Sequence, residues 1–142
     1  MILDIQNNET KIGISLAEQP DLLDIDTSYI GNGGDFWIAV DNNRVVGTIG
    51  LMKINTEWYV LKKFFVRRDF RSHKVGLTLY ERLLAYAETN AIKHIILDTP
   101  SVATKSHAFY ERAGFVRIEK SELPVAYEYP DRQSVLYRLD LI

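Results

Sequence analysis

The sequence predicts an α/β (α+β) fold in which helices cover both faces of a mixed, mostly antiparallel twisted sheet. Segments rich in β-branched and aromatic residues alternate with segments of helical periodicity, in the order helix, helix, three strands, helix, strand, helix, two strands. The chain of 142 residues is 46% apolar and 25% charged, and it is long enough to bury one core. We therefore expect a single domain over residues 1–142.

In the N-terminal half, the predicted elements are helices 1–10 and 21–29 and strands 36–40, 45–54 and 58–66. The glycines of residues 31–34 end the second helix. Asp41, Asn42 and Asn43 provide turn chemistry between two β-prone segments, which predicts a hairpin.

In the C-terminal half, the predicted elements are helix 75–90, strand 94–98, helix 102–113 and strands 115–118 and 135–139. The first of these helices places Val75, Leu79 and Leu83 on one face. Ile95, Ile96 and Leu97 are apolar in succession, as in a strand buried on both faces. Gly114 is a typical residue just beyond a helix C-terminus.

Residues 62–76, with the sequence KKFFVRRDFRSHKVG, are the most informative segment. An apolar strand ends at Val66, a polar turn follows, and a helix begins near Val75. The first N–H groups of a helix lack partners within it and lie at the positive end of its dipole, so this junction predicts an anion site. The surrounding cations suit the pyrophosphate of a nucleotide-like cofactor. These cations are Lys62, Lys63, Arg67, Arg68, Arg71 and Lys74.

Charge is unevenly distributed, although the net charge is only −2. Residues 1–35 hold seven acidic residues and one basic residue, whereas residues 62–74 hold six basic residues and one acidic residue. This asymmetry suits a cationic substrate that meets an anionic cofactor, and two solvated surfaces would explain it equally well.

Composition argues against several classes of protein. No run of 18 apolar residues and no signal-peptide pattern is present, so we expect a cytoplasmic protein. The absence of cysteine excludes disulfides, a thiolate nucleophile and cysteine zinc sites.

Two motifs about 35 residues apart make the chain resemble the GNAT superfamily of N-acetyltransferases over about residues 33–139. The first motif, Arg71-Ser72-His73-Lys74-Val75-Gly76, is similar to the family's Gln/Arg-x-x-Gly-x-Gly/Ala at the start of a helix. The second motif, FYERAGF over residues 109–115, is similar to the family's Y-E-x-x-G-F.

The resemblance implies the GNAT fold and the transfer of an acetyl group from acetyl-CoA to a primary amine, by direct attack in a ternary complex and without a metal. A backbone N–H of Phe65 or Val66 would bind the acetyl carbonyl, and a bulge in that strand would free backbone groups for the pantetheine amides. Tyr110 would be the catalytic proton donor to the departing sulfur. The implied cofactor-binding residues are Phe64, Phe65, Val66, Arg71, Ser72, His73, Lys74, Val75 and Gly76.

The chain departs from the family pattern at several points. Lys74 replaces the first signature glycine, and we expect it to adopt helical dihedrals and to leave cofactor binding intact. Ala103 replaces an asparagine that often contacts the pantetheine arm, and Val60 replaces a glutamate on the third strand. The family's first strand is apparently missing, which a late start codon, trimming or loss of the edge strand would explain.

No general base can be assigned from the sequence. Candidates for this role are Glu57, Asp98, His107 and Glu128. The aromatic side chains that could line an acceptor pocket, or equally pack elsewhere, are Trp37, Trp58, Tyr127 and Tyr129. Residues 123–131 are a candidate loop over that pocket.

The main alternative is a catalytically inactive acyl-CoA-binding module, which the missing family residues favour. RNA binding is disfavoured, because the chain is net acidic and lacks the glycines of the RRM signature beside Phe64 and Phe65. We expect a small-molecule or peptide amine as the acceptor, and neither nucleic acid nor membrane as a partner. Exposed sheet edges are compatible with a homodimer.

Overall fold

The computed structural model describes Ile2, residues 25–124, Tyr127 and residues 133–141, without the side chains of Asp26, Thr27 and Ser72. Within this part of the chain, six strands form one sheet in the order β1-β2-β3-β4-β6-β5. The strands are β1 (Asp35–Asp41), β2 (Arg44–Lys53), β3 (Trp58–Val66), β4 (His94–Pro100), β5 (Val116–Ile118) and β6 (Ser134–Asp140). The α-helices that lie wholly within the described residues are α1 (Val75–Thr89) and α2 (Thr104–Arg112). Shorter helical segments are a π-helical turn (Asp26–Ile30) and 3-10 helices at Arg68–His73 and Lys120–Glu122.

The sheet is mixed, because β3 and β4 pair in parallel while the other four pairings are antiparallel. The first hairpin turns at Asn42 and Asn43, whose φ angles of 50° and 61° suit a tight two-residue turn. Asparagine tolerates this left-handed region better than most residues, so the turn follows directly from the sequence.

One face of the sheet carries the main core together with α1 and α2. Leu79 and Leu83 of α1 and Tyr110 of α2 pack with alternate strand residues such as Leu61 and Leu97, and all are at most 6% exposed. Helix α1 lies very close to β2, since a β-carbon at Gly47 would lie only 2.9 Å from Cδ1 of Leu79.

The opposite face buries a second set of side chains, including Val60, Ile96 and Leu136. Tyr29, at the π-helical turn, is fully buried there and contacts Phe36 with ring centroids 5.1 Å apart. The described structure therefore covers both faces of the sheet, as predicted.

The strands β3 and β4 are held together at their N-terminal ends. Their pairing begins at Trp58 and His94, whose rings stack with centroids 4.2 Å apart. Nδ1 of His94 lies 2.7 Å from Oδ1 of Asp140, and Nη2 of Arg138 donates to the same oxygen at 2.8 Å. The Arg138 guanidinium also lies over the Trp58 ring, 5.0 Å from its centroid.

The element order of the described region matches the order predicted from the sequence. The third strand has the predicted bounds, and the other strands and both α-helices agree to within three residues. The predicted helix 1–10 except for Ile2, all but the end of helix 21–29, and the missing first strand lie outside the described residues. The described end of the second helix is π-helical.

Replacing Tyr80 by Phe is expected to raise the free energy of unfolding by about 1 kcal/mol, because the buried Tyr80 hydroxyl has no hydrogen-bond partner among the described residues. In the matched variant Tyr137→Phe, the free energy of unfolding should instead fall by about 1 to 2 kcal/mol, since the Tyr137 hydroxyl of the wild type donates to Oε2 of Glu111 at 2.7 Å. Urea denaturation measures both values, and equal losses in the two variants would contradict this assignment.

Candidate active site

The strands β3 and β4 separate beyond Val60 and Ile96, which form their last pair. β3 continues to Val66 and β4 continues to Pro100 without pairing to each other. We call this opening the split. Backbone groups along its two edges lack the ladder partners that a continuous sheet would supply, and buried backbone groups need partners. An extended ligand with amide groups could pair with them.

A β-bulge in β3 lies beside the split. Gly50 of β2 pairs with Lys62 and Thr48 pairs with Phe65, so Ile49 faces two residues of β3. Lys63 takes a φ of 56°, and its carbonyl accepts a hydrogen bond from the Thr48 hydroxyl at 2.7 Å. The bulge that sequence analysis anticipated in this strand is therefore present.

The alternation of backbone groups along β3 decides which N–H groups face the split. The Arg67 N–H donates to the Val46 carbonyl of β2 at 2.8 Å. Successive residues of a strand direct their N–H groups to opposite edges, so the Val66 N–H faces the split and the Phe65 N–H faces β2. Of the two predicted carbonyl-binding groups, this geometry favours Val66.

The junction between β3 and α1 is a 3-10 helix followed by a left-handed residue. Lys74 has φ 58° and ψ 22°, so the expectation that it adopts helical dihedrals was wrong. The left-handed conformation is what a glycine adopts at low cost, which explains why the family motif has glycine there. Lys74 still precedes α1 directly, and no side chain caps the helix at this residue.

The arginines of the junction bind backbone carbonyls. Nε of Arg71 donates to the Val66 carbonyl at 2.9 Å, and Nε of Arg67 donates to the Val45 carbonyl at 2.9 Å. Arg71 is exposed, and this bond holds the 3-10 helix against the end of β3. The exposed His73 packs its ring near Phe70, with centroids 5.7 Å apart. Ser72 lies in the same 3-10 helix.

Gly76 lies where the first turn of α1 passes the end of β3. A β-carbon there would lie 3.6 Å from Cγ2 of Val66 and 3.7 Å from Cζ of Phe64, which are ordinary contacts. The packing of the protein therefore does not require glycine at this position. The missing side chain leaves space beside the N–H groups of the first turn.

Tyr110 lies in the wall of the split on the side of the sheet that α1 covers. It is 6% exposed and its ring packs against Phe115, with centroids 5.6 Å apart. Phe64 lies 6.3 Å from it by ring centroids. Burial raises the pKa of the Tyr110 phenol, and the nearby Asp98 and Tyr80 raise it further. Tyr110 therefore keeps its proton at neutral pH.

The four candidates for the general base differ in their positions relative to the split. Glu57 lies at the closed end of the strand pair, where it binds Nζ of Lys93 at 3.4 Å. Nε2 of His107 donates to the Pro100 carbonyl at 2.9 Å. Asp98 lies on β4 beyond the last pair with β3, and Glu128 lies outside the described residues. Among the described candidates, Asp98 is the carboxylate at the split.

The Asp98 carboxylate accepts a hydrogen bond from the Tyr127 hydroxyl at 3.0 Å. Burial raises the pKa of Asp98, while the charges of Lys62 and Lys63 and the Tyr127 hydrogen bond oppose this rise. Of the candidate pocket aromatics, Tyr127 is thus brought to the split. Trp58 lies at the closed end, and Trp37 packs against Tyr86 with ring centroids 5.5 Å apart. Tyr129 and most of the loop 123–131 lie outside the described residues.

The chain belongs to the GNAT acetyltransferase family, as the sequence resemblance predicted. The profile described as "Acetyltransferase (GNAT) family" matches residues 2–115. An acetyltransferase from Streptococcus agalactiae 2603 is 40% identical to this chain with a TM-score of 0.93, and the match covers 99% of this chain and 87% of that one. The GNAT fold is confirmed by a GNAT family acetyltransferase from Staphylococcus aureus Mu50, which is 34% identical with a TM-score of 0.95; the match covers 99% of this chain and 89% of that one.

More distant relatives are similar to this chain over part of their length. The N-acetylaspartate synthetase of Danio rerio is 29% identical over 111 residues, covering 77% of this chain and 39% of that protein. A Xenopus tropicalis protein named "Probable N-acetyltransferase camello" is 27% identical over 125 residues, covering 85% and 57%. The chain thus spans only about half the length of these relatives. A GNAT acetyltransferase from Elizabethkingia anophelis, with acetyl-CoA bound, shares the fold at 20% identity and a TM-score of 0.63, covering 86% and 84%.

None of the helices in the described part of the chain is both long enough and apolar enough to span a membrane.

Replacing Lys74 by Gly is expected to raise the free energy of unfolding by about 0.5 to 1 kcal/mol. Glycine adopts the left-handed conformation without the steric cost that a side chain causes, and this gain exceeds the loss from the greater freedom of glycine in the unfolded chain. Lys74→Ala is the matched control, since it removes the charge but keeps the β-carbon. Chemical denaturation measures both. An equal gain from both variants would show that the charge, and not the backbone, is the source of strain.

Proposed function

We propose that this chain transfers an acetyl group from acetyl-CoA to a primary amine by direct attack in a ternary complex. The observation that carries the proposal is the split, because an extended pantetheine arm can pair with the open edges of β3 and β4. The family membership and the acetyl-CoA bound to the Elizabethkingia anophelis relative support the same cofactor.

The pyrophosphate would bind at the start of α1. The N–H groups of Val75, Gly76 and Leu77 belong to the first turn of this helix, and no acidic residue lies in that turn. The positive end of the helix dipole and the cations of the junction favour an anion there. Phe64 and Val66, beside Gly76, would form the wall against which the adjoining part of the pantetheine arm packs.

The acetyl carbonyl would accept a hydrogen bond from the Val66 N–H, which faces the split. Such a donor stabilises the negative charge that grows on the oxygen as the amine attacks. The neighbouring Val66 carbonyl is bound to Arg71, which fixes the peptide chain at this point. The 3-10 helix is therefore linked directly to the strand that would hold the thioester.

Tyr110 would serve the departing sulfur. A CoA thiol has a pKa of roughly 8.5, below that of an ordinary tyrosine at about 10. The buried Tyr110 phenol is a still weaker acid, so we infer that it donates a hydrogen bond as negative charge develops on sulfur, and gives up its proton only when the C–S bond breaks.

The rival interpretation is an inactive acyl-CoA-binding module. It predicts CoA binding without release of thiol on any amine. The closeness of Tyr110 to Asp98 at the split favours the enzyme, because a binding module has no need of two ionisable groups there. A thiol-release assay with acetyl-CoA across a broad panel of amines, combined with calorimetry of CoA binding, tests the proposal. Absence of CoA binding would overturn it.

Replacing Gly76 by Ala is expected to weaken CoA binding at least tenfold, about 1.4 kcal/mol, while the fold is kept or is stabilised by up to about 1 kcal/mol. The added methyl group meets only ordinary protein contacts but fills the space beside the first-turn N–H groups. Glu88→Ala, at an exposed position near the end of the same helix, is the control for calorimetry. Unchanged affinity in Gly76→Ala would place the pyrophosphate elsewhere.

Replacing Tyr110 by Phe is expected to lower kcat by about 100-fold or more, with CoA affinity within about twofold of the wild type. Because burial keeps the phenol protonated, the activity that Tyr110 supports should show no loss between pH 7 and about pH 9. Steady-state kinetics over this pH range, with calorimetry of CoA, measures both effects. A kcat unchanged by the substitution would remove Tyr110 from the reaction.

A further inference from the structure

Lys62 and Asp98 flank the split on the face of the sheet opposite α1. Val60 and Ile96 are the last parallel pair, and both side chains are buried on that face. Side chains two residues apart on a strand share a face, so Lys62 follows Val60 there and Asp98 follows Ile96. The two opposite charges therefore stand on the two sides of the opening, two residues beyond the last pair that joins the strands.

The described surroundings of Asp98 hold its carboxylate in place. The Tyr127 hydroxyl donates to its Oδ1, and β6 contributes the apolar Leu136, which is paired in register with Asp98. The charged groups that act on the carboxylate from β3 are Lys62 and Lys63, and Tyr110 is the titratable group that approaches from α2.

Lys62 and Asp98 carry opposite charges and form no ion pair with each other in the described structure. The positive charge of Lys62 opposes the rise in the pKa of Asp98. Opposite charges separated across an opening can each bind one end of a ligand that carries both charges. The nearby Tyr110 places the reacting atoms beside the same opening.

We propose that the acetyl acceptor is a small molecule with a primary amine and a neighbouring carboxylate, as in an α-amino acid, whose amine is bound by Asp98 and whose carboxylate faces Lys62. This inference rests on the proposed acetyl transfer. The acceptor enters the split from the face of Lys62 and Asp98, whereas the pyrophosphate site and Tyr110 lie on the face that α1 covers. The two substrates thus meet between the strands.

The reaction balances with these groups. The acceptor ammonium gives one proton to the Asp98 carboxylate, from which the proton passes to solvent, and the neutral nitrogen then forms a bond to the acetyl carbon. The C–S bond breaks, the sulfur takes a proton from Tyr110, and the nitrogen loses a second proton that restores the Tyr110 phenol. The products are the N-acetylated acceptor, CoA thiol and one released proton.

Lys62→Met provides the first test. The wild type is assayed with the twenty amino acids, each beside its carboxamide and its decarboxylated amine. For the best acceptor, kcat/KM of the amino acid should exceed that of its carboxamide at least tenfold, and Lys62→Met should reduce this ratio to about one. Lys93→Met, at the closed end of the strand pair, is the matched control and should keep the wild-type ratio. Equal use of acid and carboxamide by the wild type would overturn the proposal.

Asp98→Asn provides the second test, and its stability readout separates function from folding. The pKa of Asp98 is higher in the folded protein than in the unfolded chain. Its contribution to the free energy of unfolding is therefore fully present below the pKa of the unfolded chain and is lost as pH rises through the pKa of the folded protein. At neutral pH the ionised Asp98 lowers stability, so Asp98→Asn should melt at the wild-type Tm or above it at pH 8. Its kcat/KM should fall at least 100-fold for every acceptor, whereas Glu57→Gln should leave it unchanged. A fully active Asp98→Asn would overturn the role of Asp98.

Calorimetry of amino acids against the protein saturated with CoA distinguishes the failure of this inference from that of the proposed function. If CoA does not bind, the proposed function fails and this inference fails with it. If CoA binds and amino acids bind in a Lys62-dependent way without turnover, the acceptor site stands and catalysis is excluded. If CoA binds and amines are acetylated while amino acids neither bind nor react, the acceptor class proposed here is wrong.

Discussion

β3 and β4 form only three residue pairs before they separate, and both potential substrate sites depend on this interruption of the sheet. A continuous ladder would satisfy the backbone of both strands and leave no edge for a ligand. β4 remains paired to β6 along its whole length, and β3 remains paired to β2 on its other side. The interruption therefore exposes two backbone edges in the middle of the sheet without loosening either strand.

The bulge at Lys63 adds a second departure from a regular sheet at the same place. It puts two residues of β3 against one of β2, and the Thr48 hydroxyl binds the carbonyl that the extra residue displaces. Because of the bulge, Phe64 and Val66 lie on the core side next to α1, where they meet Gly76. The strand, the helix start and the proposed carbonyl donor are thus positioned by one local irregularity.

The sequence was sufficient to predict the helices and strands but not the detailed geometry of the candidate active site. Helical spacing from Val75 and the turn at Asn42 and Asn43 identify their elements, because these signals are local. The left-handed Lys74 was missed, since a lysine gives no sign of positive φ; the position of the family's glycine was the signal that could have revealed it. Asp98 could not be ranked above Glu57, because the separation of two strands and the hydrogen bond from Tyr127 are tertiary features.

The closed end of the strand pair sets how wide the opening becomes. From His94 to Pro100, β4 extends about 20 Å at a rise of about 3.3 Å per residue. A rotation of about 3° at the closed end would therefore move the far end by about 1 Å, roughly the difference between a productive and an unproductive approach of two reacting atoms. The stacked rings of Trp58 and His94, with His94 bound to Asp140, fix the angle between the two strands at this end. Substitutions of Trp58 or His94 would therefore change the width of the opening, and with it the selectivity for the acceptor, without any contact with the substrates.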